Sequence, residues 1–345
     1  MSSSLKVLYV GGTGTISHSA VKHSIELGQS VWVLNRGVTA SKRPLPEGAK
    51  LITADIYDQA DAAQALGNAE FDTVINVTSY TAPQLAQAIE LFEGRTAQYI
   101  HISTASLYKK PIVRWPLDES TPRLNPFVAY SRAKIEAEDL LTEAYLSRGF
   151  PGVIVRPSHT YDDAQPPLPS NWTPLRRLLE GREVVVTGDG TSLWTVTHAE
   201  DFAVGLVGLC GNRASLGEAF HITSNFAYPW DHIYQMLGQA AGIEPRIVHI
   251  PTDLITMAAP DWGWAELLAG DLSHSALYDN TKIKRFVPQF NPIISFDEGA
   301  RRLVAWQRAN PEFSAADPEV DAIIDRLVTA YHSAEEIYRK AAPSA

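Results

Sequence analysis

Tyr130 and Lys134 have the types and the spacing that proton transfer at a carbon–oxygen bond requires. They are four positions apart, so on a helix their side chains stand on one face, one turn apart. Free tyrosine has a pKa of about 10 and is a weak base at neutral pH, but a nearby ammonium lowers that pKa by stabilising the phenolate. A hydroxyl from Ser103 or Thr104 could orient the substrate oxygen. Such a group can deprotonate an alcohol as hydride leaves its carbon, or protonate a ketone in reverse.

A glycine-rich segment near the start of the chain has the spacing of a loop that binds a dinucleotide. Gly11, Gly14 and Ser17 occupy the three fingerprint positions, with serine where the third glycine usually lies. Glycine allows the tight turn and the close approach to a pyrophosphate, and the N–H groups that begin the next helix face the anion. A turn without a ligand could have the same residues, so this motif is informative mainly together with the Tyr/Lys pair. The residues expected to line the loop are Gly11, Thr13, Gly14, Thr15 and Ile16.

The end of the second predicted strand bears on which nicotinamide dinucleotide binds. An acidic residue there would accept a hydrogen bond from the ribose 2′-hydroxyl of NAD. This chain has Asn35 and Arg36 instead. A carboxylate that would repel a 2′-phosphate is missing, and a guanidinium that could clamp it is present. The pair favours NADP, with NAD as the alternative, although an arginine in a loop is often simply solvated.

Short apolar segments alternate with helix-compatible segments over the first 155 residues. This alternation predicts an α/β fold with a Rossmann-like, doubly wound parallel sheet, in which the glycine loop follows the first strand. The predicted strands are 5–10, 30–34, 50–54, 72–77, 98–102 and 152–155, and the predicted helices are 19–27, 58–66, 83–92 and 127–146.

The composition changes after residue 157, where prolines and aromatic residues become denser. We expect residues 1–157 to form the dinucleotide-binding domain, with 196–224 returning to it. Residues 158–195 and 225–345 are then expected to form a smaller, discontinuous substrate lobe that ends in an amphipathic helix over 317–340.

The amino-acid composition limits the classes of molecule that the protein is expected to bind. The 345 residues carry a formal net charge of −10, which argues against nucleic acid or an anionic membrane as a partner. We expect no N-terminal leader and no membrane span, because the sequence shows neither a basic segment followed by an apolar one at its start nor an apolar run of the ~18 residues that a span needs. One cysteine, Cys210, excludes an internal disulfide, and the ten histidines show no metal-ligand spacing, so we expect no metal. The sequence indicates a cytoplasmic protein with a small-molecule substrate.

Together these motifs resemble the extended short-chain dehydrogenases/reductases of the NAD-dependent epimerase/dehydratase type, along nearly the whole chain. The resemblance implies that Asp55 and Ile56 lie by the adenine, and that Val77 and Thr78 lie by the cofactor riboses. It also implies that Thr104, rather than Ser103, is the catalytic hydroxyl. The segments that carry it are 11–17, 54–56, 72–77, 102–108, 130–134, 155–161 and 188–201.

Departures from these relatives bear on the substrate. Sugar-nucleotide dehydratases have an Asp-Glu pair after the catalytic threonine, where this chain has Ala105 and Ser106. Nucleotide-sugar epimerases usually have a diphosphate-binding arginine a few residues after the Gly-Asp-Gly turn, where Trp194 stands here, and an indole cannot replace a guanidinium. His159 replaces a common asparagine. Dehydration is therefore disfavoured, and a less anionic substrate is favoured. The candidate substrate-contacting residues are Tyr80, Ser106, His159, Tyr161, Trp172 and Trp194.

The sequence thus predicts an oxidoreductase that transfers hydride between NADP(H) and a secondary alcohol or ketone on a sugar-like or polyol substrate. Its cofactor-binding residues include Tyr130 and Lys134, because the lysine can also bond to the nicotinamide ribose. An NAD-dependent sugar epimerase uses the same residues and remains an alternative, as does a nucleotide-sensing or RNA-binding relative without catalysis. Relatives often dimerise through the helix that bears the Tyr/Lys pair, so a homodimer is a further expectation.

Overall fold

Strands and helices alternate in the computed structural model, which describes residues 4–37 and 42–341. The strands are β1 (Lys6–Val10), β2 (Ser30–Asn35), β3 (Lys50–Thr53), β4 (Thr73–Asn76), β5 (Tyr99–Ile102), β6 (Gly152–Pro157), β7 (His159–Tyr161), β8 (Glu183–Thr187), β9 (Leu193–Trp194), β10 (Val196–His198), β11 (Ala219–Ile222), β12 (Tyr228–Pro229) and β13 (Arg246–Ile250).

The helices follow the predicted pattern over the first half of the chain. They are α1 (Thr15–Glu26), α2 (Gln59–Leu66), α3 (Ala82–Phe92), α4 (Ala129–Arg148), α5 (Trp172–Leu179), α6 (Ala199–Gly208), α7 (Trp230–Ala241), α8 (Thr252–Ala258), α9 (Ala265–Leu267), α10 (Thr281–Phe286), α11 (Phe296–Ala309) and α12 (Pro318–Ala341).

The chain divides into two compact units. Unit 1 comprises Met1–Asp162, Thr195–Phe226 and Leu277–Ile294, and unit 2 comprises Asp163–Trp194, Ala227–Ala276 and Ser295–Ala345. The sequence assigned all of 225–345 to the substrate lobe, but the segment that contains α10 belongs to unit 1. Its apolar residues explain this, because Ile283, Val287 and Phe290 are buried in the same core as α6 and β11.

Unit 1 is built on one parallel sheet. Among the described residues the sheet has seven strands in the order β11-β6-β5-β4-β1-β2-β3, and every neighbouring pair is parallel. Successive side chains of β1 enter opposite layers, as strand geometry requires. Val7 and Tyr9 pack in the core beneath α1 and α6, while Leu8 and Val10 pack in the core beneath α3 and α4. This arrangement confirms the predicted doubly wound Rossmann-like fold.

The strand order reverses between β1 and β4. From β1 the chain adds β2 and β3 on one side, and then β4, β5 and β6 on the other. In open parallel sheets a ligand binds in the crevice outside the carboxyl ends of the strands at such a reversal. The fold therefore places the crevice of unit 1 at the end of β1, where the glycine loop begins.

Unit 2 has a two-stranded parallel β8–β13 pair packed by α5 and α12. Arg177 on α5 is buried, and its guanidinium bonds to Asp321 on α12 at 2.6 Å. Two tryptophan pairs stack inside this unit, Trp172 on Trp306 and Trp194 on Trp230, with ring centroids 5.5 and 5.8 Å apart.

Candidate active site

The predicted cofactor residues of unit 1 follow the carboxyl ends of its parallel strands. Because these ends share one edge of the sheet, residues far apart in sequence converge there. The glycine loop follows β1, Asn35 and Arg36 close β2, Asp55 and Ile56 follow β3, Val77 and Thr78 follow β4, and Ser103 and Thr104 follow β5.

The path of the glycine loop leaves no room for a side chain at Gly11 or Gly12. Gly11 has φ +84°, and a Cβ there would lie 2.6 Å from the Thr78 methyl and 2.9 Å from a Val77 methyl. A Cβ on Gly12 would lie 2.5 Å from Val33. Only glycine fits this path. The first N–H groups of an α-helix point away from its body and can bind an anion. The loop therefore fits a dinucleotide phosphate.

Ser17 satisfies the requirement expected of the third fingerprint position. It is fully buried, and its Oγ accepts a hydrogen bond from the N–H of Gly14 at 3.1 Å. A small residue thus keeps α1 close to the sheet while its hydroxyl stabilises the turn, so serine is compatible with the loop.

Local hydrogen bonds order the residues that follow β2, β3 and β4. Asn35 Oδ1 accepts a hydrogen bond from the N–H of Gly37 at 2.9 Å, and the neighbouring Arg36 is exposed. Asp55 accepts from the N–H of Tyr57 at 3.0 Å. Thr78 donates its N–H to Asn76 Oδ1 at 2.8 Å. Asp55 and Thr78 thus stand at the carboxyl edge where the resemblance placed the adenine and the riboses.

The Tyr/Lys pair lies at the start of α4. Tyr130 is in the first turn and is 37 % exposed, whereas Lys134, one turn later, is 1 % exposed. Lys134 Nζ donates to the carbonyls of Ser79 at 2.7 Å and of Ile102 at 2.8 Å. It lies 5.9 Å from the centroid of the Tyr130 ring. The two carbonyls come from β5 and from the loop after β4, so the sheet fixes the ammonium beside the tyrosine.

Burial controls the charge of this lysine. Desolvation lowers the pKa of Lys134 to about 7, and the carboxylate of Glu138, one helical turn further on, partly opposes that shift. The pKa of the buried His101 on β5 is also lowered, first by burial and then by the charge of Lys134. An anion beside this lysine, such as a tyrosine phenolate, would stabilise its charged form, because the negative charge offsets the cost of desolvation.

The two hydroxyls after β5 have different environments. Thr104 heads a short 3₁₀ turn, is partly exposed, and accepts a hydrogen bond from the N–H of Ser106 at 3.2 Å. Ser103 is buried, and its hydroxyl has no hydrogen-bond partner among the described residues. Of the two residues, Thr104 is therefore the more accessible.

A buried ion pair anchors α4 to the sheet, and the sequence analysis did not identify it. The carboxylate of Glu138 accepts from Arg156 Nε at 2.9 Å and Nη2 at 2.7 Å, and from Arg123 Nη1 at 3.1 Å. Arg156 also donates to the Tyr108 hydroxyl, which bonds to His221 on β11. The position of Glu138 four residues after Lys134 was the available signal, since both must then share the inward face of α4.

The substrate candidates of unit 1 differ in accessibility. Tyr80 is 51 % exposed, and its ring centroid lies 6.4 Å from that of Tyr130. His159 on β7 is partly exposed. Ser106 is buried with its Oγ 2.8 Å from that of Ser131, and Tyr161 is buried with its ring edge on His198. Tyr80 is the candidate that the structure brings next to Tyr130.

The remaining two candidates belong to unit 2. Trp172 and Trp194 are buried and stacked on other tryptophans, and Trp172 Nε1 has no hydrogen-bond partner among the described residues. Their contact with a substrate stays a prediction.

The described residues contain neither a candidate metal site nor a helix that could span a membrane. Within 4–37 and 42–341, no group of three or more His, Cys, Asp or Glu side chains could hold a metal ion. Over the same ranges, no helix is long and apolar enough to cross a membrane.

Comparison with known proteins identifies related sequences. The model of the NAD dependent epimerase/dehydratase family matches residues 7–222. A dTDP-glucose 4,6-dehydratase of Actinoplanes sp. is 29% identical over 219 residues, which are 62% of this chain and 61% of that protein. A UDP-glucose 4-epimerase of Corynebacterium glutamicum is 22% identical over 331 residues, 79% of this chain and 99% of that protein. The chain thus spans about three fifths of the length of the dehydratase.

Solved structures share the fold. An epimerase from Methanothermobacter thermautotrophicus superposes with a TM-score of 0.75 at 18% identity, covering 90% of this chain and 94% of that one. A UDP-glucuronic acid 4-epimerase from Bacillus cereus, in complex with UDP-glucuronic acid and NAD, gives a TM-score of 0.71 at 18% identity, covering 88% and 99%. At these identities the likeness establishes the fold alone.

Proposed function

The chain belongs to the NAD dependent epimerase/dehydratase family, and we propose that it is an oxidoreductase that transfers hydride between NADP(H) and a secondary alcohol or ketone. The substrate is a small molecule with a sugar-like or polyol skeleton. Tyr130 is the acid/base, Lys134 sets its acidity, and Thr104 orients the reacting oxygen.

The observation that carries this proposal is the fixed position of Lys134 beside an accessible Tyr130. Two backbone carbonyls hold the ammonium, which leaves its remaining N–H for the ribose or for the tyrosine. Because the lysine is buried, its charge acts on the Tyr130 hydroxyl with little screening by water. Tyr130 can then accept the proton of an alcohol, while Thr104 holds the same oxygen by a hydrogen bond. A bound nicotinamide would accept or return the hydride.

The preference for NADP rests on Asn35 and Arg36. Arg36 is exposed at the end of β2, where the ribose 2′-position of a bound dinucleotide is expected. Its guanidinium can form a bidentate pair with a 2′-phosphate. Arg36→Ala should therefore weaken binding of NADPH by roughly 10-fold or more and leave NADH almost unchanged. An equal effect on both dinucleotides would contradict the role of Arg36.

An epimerase is the second candidate, because the names of several relatives and structural neighbours support it. It would use the same Thr104, Tyr130 and Lys134 and return hydride to the other face of the carbon. Dehydration has less support. Ala105 and Ser106 provide no carboxylate, so the elimination of water lacks an acid and a base.

A titration of the purified protein with NADPH and NADH, followed by fluorescence, tests the proposal. The protein is first assayed for nucleotide that it retains from expression. Selective binding of exchangeable NADPH supports a reductase and leads to a screen of ketones and aldoses. Retained NAD that does not exchange supports the epimerase, and absence of any dinucleotide binding would overturn both.

Tyr130→Phe tests the assigned acid/base once a substrate is found. The variant should bind NADPH as the wild type does and lose turnover by about 10²–10⁴-fold. Tyr145→Phe is the matched control, because that residue lies on the same helix four turns further on. Full activity of Tyr130→Phe would remove this residue from its role.

A further inference from the structure

Arg43 is buried at the start of α1, although it lies in the loop between β2 and β3. It is 8 % exposed. Its Nε donates to Asp162 Oδ2 at 2.5 Å and its Nη2 to Asp162 Oδ1 at 2.6 Å. The same Nη2 donates to Thr15 Oγ1 at 3.1 Å. Asp162 directly follows β7, so the ion pair joins two distant loops of unit 1 beside the first turn of α1.

The loop itself is held along α1. The His18 side chain bonds through Nε2 to the carbonyl of Pro44 at 3.1 Å. Further on, a Cβ at Gly48 would come within 3.2 Å of Ile25, near the other end of the helix. Because both flanking contacts are to α1, the guanidinium of Arg43 is fixed next to the residues that follow the glycine loop.

A cation in this position needs an anion. The N-terminal end of a helix carries a partial positive charge, which repels a guanidinium and attracts phosphate. Asp162 provides the negative charge in this structure. It engages the guanidinium through two parallel hydrogen bonds, and phosphate oxygens accept from arginine in the same way. The carboxylate therefore has the charge and the geometry of the group that the glycine loop is built to bind.

We propose that Arg43 is a ligand of the dinucleotide's diphosphate, and that Asp162 holds the guanidinium until the diphosphate displaces the carboxylate. This inference rests on the proposed function, since it requires unit 1 to bind a dinucleotide. It adds a residue that the glycine fingerprint does not include. Arg43 and Arg36 then have separate roles, because a diphosphate ligand raises the affinity for NAD and NADP alike, whereas Arg36 distinguishes them.

Four variants test this inference by calorimetric titration with NADPH, NADH, ADP and adenosine. Arg43→Gln should weaken the first three by about 10–100-fold, the range for a charge-assisted hydrogen bond, and leave adenosine unchanged. The ratio of NADPH to NADH affinity should stay that of the wild type. Asp162→Asn should tighten binding of the first three by several-fold, because the competing carboxylate is gone. The double variant should resemble Arg43→Gln. Arg148→Gln, an exposed arginine at the far end of α4, is the matched control.

The outcomes separate the inference from the proposed function. If the wild type binds no dinucleotide, both are overturned. If it binds and Arg43→Gln changes ADP affinity less than twofold, only the inference is overturned. Weaker binding by Asp162→Asn would also overturn it, since the pair would then be a structural brace. Far-UV circular dichroism and Tm show whether each variant is folded. If a single variant unfolds, the double variant replaces it, because it leaves no unpaired buried charge.

Discussion

Replacing Lys134 with methionine should change the pH dependence of stability by a predictable amount. Burial lowers the pKa of Lys134 to about 7 in the folded protein, against about 10.4 in an unfolded chain. Between those values the unfolded chain binds a proton that the folded protein lacks, so stability rises with pH. Burial of Lys134 therefore lowers the free energy of unfolding by its full amount below the pKa of this lysine in the folded protein. The effect disappears above its pKa in the unfolded chain.

The magnitude follows from the same two values. Linkage gives a cost of about 4 kcal/mol at pH 7 and about 2 kcal/mol at pH 9. Lys134→Met removes the titrating group, and it also leaves the carbonyls of Ser79 and Ile102 without their donor, a loss that does not depend on pH. From pH 7 to pH 9 the unfolding free energy of the wild type should therefore rise by about 2 kcal/mol relative to that of Lys134→Met.

Urea denaturation at both pH values, followed by circular dichroism, measures this shift. The matched control is Lys22→Met, which removes a lysine whose side chain is 63% exposed on α1. Its stability difference from the wild type should not change by more than about 0.5 kcal/mol, the usual size of a surface effect. If the difference in unfolding free energy between Lys134→Met and the wild type also changes by less than about 0.5 kcal/mol, burial does not lower the pKa of Lys134 as described.

Four further substitutions test other parts of unit 1. Glu138→Gln leaves the buried Arg156 without its carboxylate and should cost about 3–5 kcal/mol in urea denaturation, and a cost under about 1 kcal/mol would contradict the anchoring of α4. Gly11→Ala forces a side chain into a backbone with φ +84° and against Thr78. It should abolish NADPH binding in a fluorescence titration, and retained affinity would show that the loop adapts. Thr104→Ala should reduce kcat by about 10²-fold, as loss of one positioned donor does. Ser103→Ala should not reduce kcat, and the reverse result would exchange their roles.

Local sequence patterns were sufficient for the alternating strands and helices of residues 1–157. The apolar segment of β1 ends directly at Gly11, and α1 follows with one buried face. Such patterns report the periodicity of neighbouring residues, which is a property of the chain itself. The return of Leu277–Ile294 to unit 1 was not predicted. Its apolar residues suit either unit, and only the available core surface decided between them.

The candidate site depended on sequence and tertiary structure in different ways. By itself the sequence determined the glycine loop and the helical spacing of Tyr130 and Lys134, because both are patterns within a few consecutive residues. Only the tertiary structure decided what surrounds them. Two carbonyls hold Lys134, and Arg43 meets Asp162 across 119 positions of the chain. Such contacts depend on strand order and on loop paths, and no local periodicity encodes them.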